Sequence, residues 1–146
     1  MLSRLVLPCV LALTAALFAG CSGGEETEPS TCVEGLDLEC QPLYAPTFDE
    51  IFSRTLQPTC AQGGSACHAP GGGQGGLSFE SVDQAYTLLT EGDGGEAWVK
   101  AGDAACSPLL ARLESDDASK VMPPGGKLPE AERCAVVQWI AAGAKR

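Results

Sequence analysis

The sequence predicts an all-α fold, and three observations carry that prediction. Four segments repeat apolar residues at helical spacing behind a capping residue or a first-turn proline, and no segment alternates as a half-buried strand would. The composition agrees. With 5 % aromatic residues, 18 Gly and 10 Pro in 146 residues, the chain suits a small core joined by long irregular segments better than a sandwich of aromatic-rich strands. The length fits one domain and falls short of two.

Residues 1–20 read as a lipoprotein signal peptide. Arg4 supplies the positive start, Leu5 to Phe18 the apolar run, and Ala19-Gly20 the small residues before Cys21. The apolar run is shorter than the roughly 18 to 20 residues that span a bilayer. Leu17-Phe18-Ala19-Gly20-Cys21 resembles the lipobox of bacterial lipoproteins, which implies that Cys21 is lipidated and becomes the N-terminus. Residues 21–46 are expected to form a lipidated flexible linker, because Ser22 to Ser30 is polar, acidic and without hydrophobic period. Cys32 and Cys40 lie within it and offer a small loop closed by a disulfide.

The helical domain is expected over residues 47–146. Thr47-Phe48-Asp49-Glu50 has the form of a capping box, and Phe48, Ile51, Phe52 and Leu56 then share one face of a helix ending near Gln57-Pro58. Ser81-Val82-Asp83-Gln84 repeats the capping logic, with Val82, Ala85, Tyr86 and Leu89 as the buried stripe of a second helix that stops at Gly92. Ser107-Pro108 starts a short third helix through Leu109, Leu110 and Leu113. Pro129 opens the fourth, which carries Cys134, Val137, Trp139 and Ile140 and stops at Gly143. Two long loops remain, Cys60 to Gly76 and Glu114 to Leu128, and loops of that length need a reason.

Each loop holds a rare residue. His68, directly after Cys67, is the single histidine of the chain, and Met122, in Met-Pro-Pro-Gly, is the single methionine besides Met1. An imidazole nitrogen and a thioether sulfur are the axial pair that holds a six-coordinate haem iron and raises its potential. On these residues the sequence resembles the class I cytochrome c domain over roughly Phe48 to Ala144. The resemblance rests on the entry helix Phe48 to Leu56, Cys67-His68, Gly102-Asp-Ala-Ala-Cys-Ser-Pro-Leu109, Met122-Pro-Pro and Trp139-Ile-Ala-Ala-Gly-Ala144. It implies a small cytochrome c-like helical domain with covalent haem c, Cys60 and Cys67 as thioether donors, His68 as proximal ligand and Met122 as distal ligand. The sequence departs from the family at one point: Cys60 and Cys67 form C-x6-C-H where the family has C-x-x-C-H, and Gly63-Gly64 make an outward bulge easy.

The same residues support a second reading. Apart from Cys9 in the signal peptide and Cys21, six cysteines remain, and six allow fifteen pairings. Proximity and the family resemblance together suggest Cys32–Cys40, Cys60–Cys67 and Cys106–Cys134, the last joining the start of the third helix to the middle of the fourth. With Cys60 and Cys67 joined, the protein would be a haem-less, disulfide-stabilised structural or binding lipoprotein.

Charge and missing motifs remove other functions. With 9 Lys+Arg against 19 Asp+Glu the formal charge is −10, which disfavours nucleic acid and anionic bilayers as electrostatic partners. No Gly-x-Ser-x-Gly elbow accompanies His68, no C-x-x-C redox spacing occurs, and the cysteine spacing does not suggest a zinc site. The resemblance implies an electron carrier rather than an enzyme, with no small-molecule substrate. It would be exported, lipid-anchored to a bacterial membrane on the periplasmic or cell-surface face, and partnered by redox proteins with a basic docking surface.

Overall fold

A computed structural model describes residues 32–63 and 67–146, so the signal peptide, Cys21 and the first part of the linker lie outside the described residues. Within them the protein is helical and has no strand. The four α-helices are α1 (Phe48–Ile51), α2 (Val82–Thr90), α3 (Pro108–Leu113) and α4 (Glu130–Ala141). No helix among the described residues is long and apolar enough to cross a membrane.

The first helix does not stop at Gln57. From α1 the chain continues as a π-helix over Phe52–Cys60 with Pro58 inside it, and the Ala61 N–H reaches back five residues to the Leu56 carbonyl. The wider winding relieves the clash that a proline ring makes with the carbonyl four residues earlier in an α-helix. The expected capping box is also absent. Thr47 makes no side-chain cap, and Glu50 turns instead to pair with Arg54 one turn on.

The other helices start and stop closer to their local signals. Ser81 accepts from the Gln84 N–H at 3.3 Å, capping α2, and the chain leaves that helix through Gly92 at φ 78°. Pro108 opens α3, but the fully buried Ser107 hydroxyl is not spent on the cap. It accepts from the Lys100 N–H at 2.9 Å and donates to the Asp103 carbonyl at 2.8 Å, so it organises the preceding turn. Gly143, at φ 100°, ends the turn that follows α4.

Phe48 on α1 packs against Trp139 on α4 and Tyr86 on α2, with ring centroids 5.1 and 5.2 Å apart. Leu89, Leu110, Val136 and Ile140 complete this core and are essentially unexposed. The π-helix and α3 join the same core through Phe52, Leu56, Leu109 and Leu113.

The cysteine pairing differs from the sequential expectation. Cys32 is bonded to Cys106 and Cys40 to Cys134, so neither a Cys32–Cys40 loop nor a Cys106–Cys134 bridge exists. The physical reason is the course of residues 32–46, which lie as a strap along the helical domain rather than folding back on themselves. The Val33 N–H donates to the Ala105 carbonyl, the Leu43 N–H to the Ala131 carbonyl, both at 2.8 Å, and the Gln138 amide to the Cys40 carbonyl at 2.7 Å. These bonds bring each strap cysteine to a different partner on the domain.

Candidate functional site: a cavity bordered by two thiols, an imidazole and a thioether

Between the π-helix, α3 and the two long loops lies a predominantly apolar cavity of about 300 Å³, at the lower end of the range that holds small cofactors. Leu56, Leu77, Phe79, Leu109 and Leu113 are among its apolar walls, and Trp98 and Pro123 line it as well. Cys60 at the end of the π-helix, Cys67 and His68 on the loop that follows it, and Met122 on the loop beyond α3 all border it. The structure brings these four together. Cys32, Cys40, Cys106 and Cys134 are bridged away from it, and Cys21 lies outside the described residues.

The histidine is oriented by backbone. His68 Nδ1 lies 3.1 Å from the Leu77 carbonyl, and a carbonyl can only accept, so the proton sits on Nδ1 and the lone pair on Nε2. The Phe79 N–H donates to the His68 carbonyl at 2.8 Å, and the Phe79 ring packs 5.2 Å from the imidazole. These contacts fix the ring from behind. A second partner of this kind is what metal-binding histidines ordinarily have.

The unusual spacing of the cysteines closes on itself. Cys60 ends the π-helix, and its carbonyl accepts from the His68 N–H at 3.2 Å, which brings the two positions flanking the six-residue gap back together. Gly63 makes the closure possible: its φ is 86°, and a Cβ there would stand 2.8 Å from Cys67 Sγ. Both thiols are free, so the Cys60–Cys67 disulfide expected by the haem-less reading is not formed. Burial pushes the Cys60 thiol up to about 11, helped by the neighbouring Cys67 and by the Glu132 carboxylate. It therefore stays protonated at neutral pH.

The loop carrying Met122 is held by its own turns. Asp117 accepts from the Ser119 N–H at 2.9 Å and the Ser119 hydroxyl at 2.7 Å, bonds that lower the Asp117 pKa. The Met122 N–H donates to the Arg112 carbonyl at 3.0 Å, tying the methionine to the last turn of α3. Asp116 pairs with Lys127 at 2.7 Å across the base of the same loop.

A family model, Planctomycete cytochrome C, matches residues 65–126, a stretch running from just before Cys67-His68 to just past Met122 and Pro123. The match supports a cytochrome c-like domain. It covers somewhat under half of the chain and begins after Cys60. No curated protein and no solved structure matches the chain. The cavity also depends on several residues that local reading does not single out. The Leu77 carbonyl orients His68, Trp98 packs against Gly75, and Arg112 borders the cavity. The first is a backbone atom with no sequence signal, and the other two are ordinary residues until the fold places them.

Proposed function

We propose that the protein is an electron carrier holding one covalent haem c in this cavity. The observation that carries the reading is the shared placement of the two free thiols, an imidazole with its Nε2 lone pair available, and the thioether of Met122 around one apolar space. The donor set fits the group. Among the described residues no three His, Cys, Asp or Glu side chains gather tightly enough to hold a metal ion. Donors spread around a cavity suit an iron that brings its own equatorial nitrogens.

When bound, haem supplies reversible one-electron exchange at iron. The chain supplies everything else. His68 presents Nε2 while the Leu77 carbonyl holds the Nδ1 proton, and Met122 offers a soft sulfur from the other loop, which raises the potential. Cys60 and Cys67, both free, would hold the group covalently, each thioether arising by addition of one S–H across one vinyl group. The leucine and phenylalanine walls exclude water.

Export and lipid anchoring at Cys21 belong to the same proposal, supported by the charged start, apolar run and small residues before that cysteine. The acidic surface favours redox partners with a basic docking patch, with an association rate that falls as salt rises. The test is to isolate the protein from its native organism. It should be red, retain its colour through acid–acetone extraction and carry acylated Cys21 as its N-terminus. Met122→Ala should remove the sulfur-to-iron absorption band of the oxidised form while the haem stays attached, whereas His68→Ala should impair attachment. Colourless native protein would overturn the haem reading.

A further inference from the structure

We propose that Arg112 is a positioning residue of the cavity: it ties down the loop that carries Met122 and sets a fixed positive charge in the cavity wall. The second half of this inference rests on the haem reading; the first does not. Among the side chains bordering the cavity, the Arg112 guanidinium is the single permanent charge. It is half-buried, and no carboxylate among the described residues pairs with it, although the chain carries 19 Asp+Glu. Arg133, one helix away, shows the usual arrangement, paired with Glu114 at 2.8 Å. A guanidinium that no carboxylate neutralises leaves its field acting on whatever occupies the cavity.

Arg112 also touches the Met122 loop twice. Its carbonyl accepts from the Met122 N–H at 3.0 Å, and its Nη1 donates to the Lys120 carbonyl at 3.4 Å. One residue at the end of α3 thus brackets the two positions before the methionine and the methionine itself. The planar fork can hold the loop while leaving other N–H groups free, which a lysine ammonium does with less geometric definition. A positive charge in the cavity wall would favour the reduced state of a haem held there, so the same side chain that ties down the methionine loop would raise the potential.

The experiment compares Arg112→Gln and Arg112→Lys with the wild-type full chain, with and without haem. In the cofactor-free chain, hydrogen exchange at the Met122 amide should accelerate on the order of tenfold in both variants, because the bond to Lys120 is lost or loosened. In the haem-loaded chain, Arg112→Gln should shift the potential downward and lose the sulfur-to-iron band at lower pH than wild type. Arg112→Lys should keep the potential close to wild type, separating charge from tether. Unchanged exchange at Met122 in Arg112→Gln overturns the tether, and identical potentials in Arg112→Gln and wild type overturn the charge role. If Arg112→Gln does not fold, exchange in Arg112→Lys decides the tether and the potential of Arg112→Met, which removes the charge, decides the charge role: a potential equal to wild type overturns it. A wild-type chain that never takes haem would defeat the proposed function, and the exchange measurement would still decide the tether.

Discussion

The two sides of this molecule use cysteine in opposite ways. On one side, Cys32 and Cys40 leave an irregular strap and cross to Cys106 and Cys134, closing rings that span 74 and 94 positions. On the other, Cys60 and Cys67 border one cavity and stay reduced. The strap has almost no apolar core of its own, and Leu38 and Leu43 within it are exposed, so covalent bonds do there what burial does elsewhere. The cavity side has leucines and aromatics for its walls and can leave its thiols for chemistry. The contrast teaches that cysteine count alone does not tell a staple from a reactive pair; what surrounds each sulfur does.

The largest test of that contrast removes the staples. Replacing both cysteines of either bridge by serine should cost about 4 to 5 kcal/mol on the chain-entropy account, because each bridge closes a long ring. Urea unfolding of the oxidised and variant chains reads the difference. A loss near zero for either bridge would mean that the strap is held by its hydrogen bonds alone.

Phe48 lies in the core that both sides share, in contact with Tyr86, Trp139 and Phe52. Phe48→Ala should cost about 3 to 5 kcal/mol and should also slow uptake of a cofactor, since the helix that begins there ends at Cys60. An equal cost with unaltered uptake would uncouple the core from the cavity.

The cavity side should reveal itself in alkali. The Cys60 thiol is raised from 9.0 to about 11 in the folded chain, so above pH 9 the unfolded chain loses this proton first. The stabilisation is complete below pH 9 and disappears as pH rises through 11, a change on the order of 2 kcal/mol. Denaturation across this range should show the decline, and Cys60→Ser should flatten it. The smallest effect is expected from replacing the free pair itself at neutral pH. Cys60→Ser with Cys67→Ser should change the stability of the cofactor-free chain by less than about 1 kcal/mol, several-fold below either bridge.

Much of the helical layout is legible in local pattern. Ser81 and Gly92 bracket α2, Pro108 opens α3, and Pro129 and Gly143 flank α4, because capping and first-turn chemistry act over a few residues. The approach of His68 and Met122 to one space is legible through their rarity and the family resemblance. The π-helix is not, since Pro58 signals a helix end and only the packing of Phe52, Thr55 and Leu56 carries the chain past it. Nor is the cysteine pairing. Cys32 meets Cys106 through a path laid down by Val33, Ala105 and the buried Ser107 turn, contacts that no spacing rule along the chain encodes.

The bridges also have a biosynthetic consequence. In chain order the four cysteines pair first with third and second with fourth, so the two rings interlock rather than nest or stand apart. Cys32 and Cys40, eight positions apart, precede both of their true partners, so in a chain exported N-terminus first, as proposed above, they would emerge well before them. In an unfolded chain the short ring they would close is favoured over the native Cys32–Cys106 ring by roughly 2 kcal/mol of loop entropy. A donor that oxidises thiols in order of arrival therefore makes the wrong bond first, and thiol–disulfide exchange must undo it before the native bridges can form. If the chain is exported as proposed above, the yield of native protein would be tied to an isomerase in that compartment, and a host that only oxidises should accumulate the Cys32–Cys40 species.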